Sequence, residues 1–130
     1  MIIINDKKYD NVLKKVSFGE YSVMQDGKKR NGMAPFISFR CDNILLGIET
    51  NYDKKWLEKL KTNDKQDISK YVIDIPYEDE KGWVSLILGK DKCFITKVKN
   101  NVFTIELKCE TYECSEHYSI IINEDVEISF

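Results

Sequence analysis

Apolar and polar residues alternate along much of the chain, and that alternation predicts strands. From Val102 to Glu110 the apolar Phe103, Ile105, Leu107 and Cys109 interleave with Thr104, Glu106, Lys108 and Glu110, the period expected of a strand with one buried face. Lys92 to Lys99 carries Cys93, Phe94, Ile95 and Val98, and Asn100-Asn101 between the two runs can adopt positive φ and close a tight hairpin. Trp83 to Leu88 is apolar apart from Ser85 and is followed by Gly89-Lys90-Asp91, a turn toward the next strand. His117 to Ile122 ends at Asn123-Glu124-Asp125, after which Val126, Ile128 and Phe130 alternate with Glu127 and Ser129, so the chain finishes inside a sheet. Earlier, Glu20 to Gln25, Ala34 to Cys41 and Ile44 to Thr50 are expected strands, separated by a loop from Asp26 to Gly32 and by Asp42-Asn43. Tyr71 to Ile75 is another, stopped by Pro76.

One segment follows a different period. Between Asp53 and Lys61, Trp56, Leu57 and Leu60 fall at helical spacing, while Lys54, Lys55, Glu58, Lys59 and Lys61 face the other way. This predicts a short amphipathic helix over about residues 53–62, capped by Asn51 or Asp53 and ended by Thr62-Asn63-Asp64. Tyr52 extends its apolar stripe, which is expected to be buried in the protein's own core, as is Trp83. Asp67-Ile68-Ser69-Lys70 could form one more helical turn, capped by Asp67, before the strand at Tyr71. Many short strands and a single helix define a mainly β protein: a small antiparallel β-barrel or β-sandwich, with the helix plugging an end or covering an edge. Nothing repeats at a fixed period and no Pro/Gly/Ser-rich linker interrupts the chain, so residues 1–130 are read as a single domain.

Composition narrows what such a domain does. At 130 residues and 42% hydrophobic it builds one modest core, and it is too short for separate cofactor and substrate domains. Its 20 Lys and Arg against 22 Asp and Glu leave no basic surplus for a nucleic-acid backbone. The opening Met1-Ile2-Ile3-Ile4 is too short for a secretory core, and no apolar run approaches the roughly twenty residues that span a bilayer. A soluble cytoplasmic protein is expected, or one carried in a virion if phage-encoded, with no membrane partner. The charge is unevenly placed. Residues 1–65 hold thirteen Lys/Arg and nine Asp/Glu, whereas residues 66–130 hold seven and thirteen. From Thr104 onward Lys108 is the only base, which makes Glu106, Glu110, Glu113 and Glu116 candidate contacts for a basic partner or for head-to-tail self-association.

Candidate chemistry is sparse. The only histidine lies in Cys109-x4-Cys114-x2-His117, and Cys93, Cys109, Cys114 and His117 could in principle form a tetrahedral zinc site, although the paired CxxC spacing is missing. Against this, Cys109 lies on an apolar strand face, where a thiol behaves as a small hydrophobe. The four cysteines are read as reduced, with a Cys109–Cys114 disulfide as the alternative for an exported protein. Cys114 or Ser115 beside His117 is the sole candidate nucleophile-base pairing, and neighbouring strand residues point to opposite faces. No phosphate-cradling or nucleophile-elbow motif is present. Glu78-Asp79-Glu80 is read as a solvated turn and Lys28-Lys29-Arg30 as a charged loop tip. Neither a catalytic residue nor a cofactor is assigned. The expectation is a non-enzymatic structural or protein-interaction module, such as a phage accessory subunit or an acidic immunity-type protein. The alternative is a small-molecule-binding barrel or minor hydrolase with a pocket lined by Trp83, Tyr112 and Tyr118.

Overall fold

Alternation along the strands builds two antiparallel sheets whose apolar faces share one core. The computed structural model describes residues 1–130. Its elements are β1 (Ile2–Ile4), β2 (Lys7–Tyr9), β3 (Val12–Gln25), β4 (Lys28–Cys41), β5 (Ile44–Thr50), α1 (Lys54–Glu58), β6 (Lys65–Asp67), a 3-10 turn (Ser69–Tyr71), β7 (Val72–Asp79), β8 (Gly82–Leu86), β9 (Lys92–Lys99), β10 (Val102–Glu113) and β11 (Glu116–Glu127). The larger sheet has the order β2-β1-β11-β10-β9-β6 and the smaller one β3-β4-β5-β7-β8. Neither sheet closes on itself, so of the two expected architectures the sandwich is the one formed. A cluster of 27 buried residues fills the space between the sheets, with Phe39, Leu46 and Ile75 from the smaller facing Ile105, Phe103 and Ile120 from the larger. No helix is long and apolar enough to cross a membrane.

Several boundaries differ from the expected ones, each for a local reason. The loop anticipated from Asp26 to Gly32 contracts to Asp26-Gly27, whose φ values of 51° and 74° make a two-residue hairpin turn, so Lys28, Lys29 and Arg30 belong to a strand and not to a loop tip. β7 does not stop at Pro76 but continues to Asp79, which also places Glu78 and Asp79 in the strand and leaves only Glu80 and Lys81 to turn. Likewise β11 runs through Asn123-Glu124-Asp125 because its register with β10 stays unbroken from Glu113↔Glu116 to Val102↔Glu127. The helix is shorter than 53–62: after Glu58 the chain tightens, with Leu60 N–H donating to the Leu57 carbonyl at 3.2 Å, which buries both leucines. β1, β2, β6 and the first half of β3 lacked a strand signal of their own. They are short or rich in lysine and join the sheets through pairing partners far away in sequence, such as Ile2↔Ile122 and Gln66↔Ile95.

The β3–β4 hairpin outgrows its sheet. Only Phe36–Cys41 of β4 pairs with β5, and the remainder projects as a two-stranded ribbon. Arg30 ties that ribbon down. Its guanidinium carbon lies 4.8, 4.7 and 5.6 Å from the ring centres of Tyr21, Trp56 and Tyr71. Its nitrogens donate to the Gln25 Oε1 at 2.9 Å, the Tyr21 hydroxyl at 2.7 Å and the Asn51 carbonyl at 3.0 Å. The Tyr21 hydroxyl in turn donates to Asp53, whose other oxygen caps α1 by accepting from Lys55 N–H at 2.8 Å. Gly32 keeps this contact open, because a Cβ there would stand 2.5 Å from the Asp53 carboxylate. One arginine thereby fixes the ribbon, the helix start and the aromatic group of Tyr52, Trp56 and Tyr71.

Replacing Arg30→Ala is expected to cost about 1–3 kcal/mol through lost cation–π and charge-assisted hydrogen bonds. The loss concentrates in the ribbon: in hydrogen exchange, amides of Tyr21 to Arg30 gain exchange rate well before those of β10 and β11. Uniform acceleration across both sheets would show that Arg30 is part of the global core instead.

Candidate interaction surface

The two outward faces of the sandwich differ in how they treat their charges. On the larger sheet several outward charges have partners, Lys65 with Glu106 at 3.3 Å and Lys92 with Asp67 at 3.4 Å, and His117 contacts Glu110 at 2.9 Å, whereas Lys108 between the two glutamates enters no ion pair and lies opposite Lys92. Such exposed pairs contribute little to stability. On the smaller sheet Lys15, Arg40, Glu49, Asp74 and Glu78 enter no ion pair at all. Asp74 is satisfied only by the Ser85 hydroxyl, which donates to it at 2.6 Å. Glu49 and Asp74 lie directly opposite each other across β5 and β7, an arrangement of like charges that destabilises a sheet.

These charges surround an apolar hollow. Gly47 sits on the outer face of β5, beside Pro76 of β7 and beneath Phe36 of β4, and a Cβ added to it would meet the Phe36 ring at 2.8 Å and the Pro76 ring at 2.9 Å. Proline has no N–H to give a central strand, and the β5–β7 ladder lapses between the pairs Leu46↔Tyr77 and Glu49↔Asp74, where Pro76 lies. The missing side chain and the interrupted ladder together dent the sheet. The result is a groove of about 160 Å³ with Phe36, Ser38, Leu45, Gly47, Pro76 and Trp83 among its lining.

Trp83 corrects a sequence expectation. It is not a core residue: it is 72% exposed on the outer end of β8, because the strand buries Leu86 and half-buries Val84 on its other face. A nearly continuous apolar run conceals which face of a strand is inward, and here Trp83 and Ile87 fall outside. Leu13 at the opposite edge of the sheet is 71% exposed. Gly47 inside an apolar strand was the one sequence signal that could have located the groove, since an interior strand glycine marks a close approach.

Of the residues singled out from sequence, Trp83, Cys114, Glu116 and Tyr118 share one surface cavity of about 220 Å³, and the others lie apart. Cys93 and Cys109 are buried on the core face of the larger sheet, Cys114 is exposed in the β10–β11 turn, and His117 is exposed beside Tyr112, 4.8 Å between ring centres. No three His, Cys, Asp or Glu residues lie close enough together to hold a metal ion. Glu106 and Glu110 share the outward face of β10 with their own basic or imidazole partners, whereas Glu113 and Glu116 face each other across the hairpin end. Glu116 also lies 3.9 Å from Lys81 and accepts from the Tyr118 hydroxyl at 3.2 Å. Tyr112 is 74% exposed and stands apart, while Tyr118, packed on Tyr77, joins Trp83 in lining a cavity that opens at the surface.

The molecule is thus a mainly β two-sheet sandwich with one unpaired, partly apolar outer face. Comparison with protein-family models, curated proteins and solved structures finds no match for the chain.

Two consequences are measurable. Gly47→Ala is expected to destabilise the fold by about 1–3 kcal/mol in denaturant titration, because Phe36 and Pro76 cannot both yield. Gly19→Ala on β3, with nothing within 4 Å of the added carbon, is expected to be neutral or stabilising by up to about 1 kcal/mol. Equal effects at the two sites would remove the steric account of the groove floor.

Burial also controls the thiols. It pushes Cys93 up to about 12, and Cys41 and Cys109 up to about 11, from an ordinary value of 9.0. Tyr77 is shifted upward by burial as well. Between the ordinary and raised values the folded protein keeps protons that the unfolded chain has released. The stability these groups contribute is therefore complete below pH 9 and declines as pH rises toward 11 to 12. At pH 8 a thiol reagent should modify Cys114 alone in the folded protein, and the urea midpoint should fall between pH 8 and about pH 10.5. Rapid native labelling of Cys93 would contradict its place in the core.

Proposed function

We propose that the chain is a non-enzymatic protein-interaction module that works through the outer face of its smaller sheet. The observation that carries this reading is the coincidence, on one face, of an apolar groove and charged residues with no intramolecular ion-pair partner. Charged groups left unmatched beside exposed tryptophan and leucine are suited to a partner that supplies counter-charges and covers apolar area. At this groove, size favours a protein side chain over a small molecule: about 160 Å³ accepts a side chain, whereas ligand sites usually occupy several hundred Å³. A structural or accessory role in an assembly, the expectation raised by the strand-rich plan, is the form of this function that the face suits. The reading does not depend on Glu106, Glu110, Glu113 and Glu116.

Trp83 and Tyr112 are exposed to nearly the same extent, 72% and 74%, on opposite sheets, which gives a matched test. A photo-crosslinking phenylalanine analogue placed at either position in the native cells is expected to form a discrete adduct from position 83 and none from position 112. Adding Leu45→Glu should abolish the adduct. Crosslinking from position 83 no stronger than from position 112, or untouched by Leu45→Glu, would overturn the reading.

A further inference from the structure

Resting on the reading above, we propose that the partner of this face is a second copy of the chain, joined about a two-fold axis parallel to β5. The argument comes from one transverse row of side chains. The registers pair Leu13 with Arg40, Arg40 with Leu45, Leu45 with Glu78 and Glu78 with Trp83, so the row crosses all five strands of the smaller sheet without a break. Read from β3 to β8, it runs apolar, basic, apolar, acidic, apolar.

Such a row is its own complement. Two sheets packed face to face with aligned strands can be related by a two-fold axis lying between them and running along the central strand. That operation lays β3 of one copy over β8 of the other and β4 over β7. Leu13 then covers the partner's Trp83, Arg40 meets the partner's Glu78, and Leu45 packs on the partner's Leu45. Each contact except the last occurs twice. An axis perpendicular to the strands through this row would instead set Arg40 against the partner's Arg40 and Glu78 against the partner's Glu78, so within this row charge selects the parallel axis; two rows along, that parallel axis brings Glu49 over the partner's Glu49, which confines the contact to this end of the sheet.

The free chain fits this assignment. Arg40 and Glu78 are both exposed, each lacks an ion pair within the molecule, and Leu13 and Trp83 are 71% and 72% exposed. The larger sheet has no such row: the transverse row through Lys108 sets it beside Lys92 and Ile121, two like charges and no acidic counterpart. The footprint is small, about 20 Å across the strands and centred on this one row, which places the dimer in the weak class with a dissociation constant in the micromolar range or above.

Charge reversal tests the row. By sedimentation velocity between about 5 µM and about 1 mM, the unaltered chain is expected to pass from monomer to dimer, with weaker association at high salt. Arg40→Glu or Glu78→Arg alone places like charges at two symmetry-related contacts and should weaken dimerisation about tenfold or more. The double variant R40E/E78R restores opposite pairing and should return to within about threefold of the original constant. Both positions are on the surface, and unchanged thermal melts of the variants will show that the monomer fold is intact. A chain still monomeric at the highest concentration, single reversals without effect, or a double variant that stays weak would each overturn the two-fold row. If position 83 crosslinks to a different protein while the purified chain stays monomeric, the interaction face stands and the second copy as its partner falls.

Discussion

Burial of one face of each sheet in a shared core is the constraint on which the remaining structure depends. With side chains alternating across a strand, a slip of one residue would turn Ile37, Phe39, Leu46 and Ile48 toward water and bring Arg40 and Glu49 inside. The core therefore sets the register, and the register determines what appears outside. No side chain of the outer row was needed to make the sheet, yet all five are placed by the packing beneath them. The surface is a by-product of core geometry that is available for a second purpose.

Local chemistry modifies that frame at two points. Gly47 and Pro76 give up a side chain and an N–H in adjacent strands, and the smaller sheet is dented where a flat one would be continuous. Arg30 does the opposite, drawing a ribbon with few neighbours of its own onto α1 through three aromatic rings and the Tyr21–Asp53 link. Burial and the bond to Asp53 both push the Tyr21 phenol up, so it remains a proton donor in this network across the neutral range.

Elements with strong local signals were legible in sequence. The β9–β10 hairpin, with Asn101 at φ 62°, and the Asp53-capped helix are set by neighbours within a few residues. Parts decided by distant partners were not. β1 becomes a strand because β11 supplies its ladder from the far end of the chain, and β7 continues through a proline because β5 offers a glycine opposite it. The candidate surface was hidden for the same reason. Leu13, Arg40, Leu45, Glu78 and Trp83 are spread over most of the sequence and meet only after four strand pairings are known. Glu106 and Glu110 belong to a run of acidic residues in the sequence, but their contacts with Lys65 and His117 emerge only in the folded chain.

The central claim is that the outer face of the smaller sheet is where this protein associates. A nuclear magnetic resonance dilution series from about 1 mM to about 10 µM addresses it residue by residue. Concentration-dependent shifts are predicted for the Arg40, Leu45 and Glu78 amides and the Trp83 indole, with the Glu106, Lys108 and Glu110 amides unmoved. Spectra that do not change on dilution, or changes centred on Glu106 and Glu110, would contradict the account.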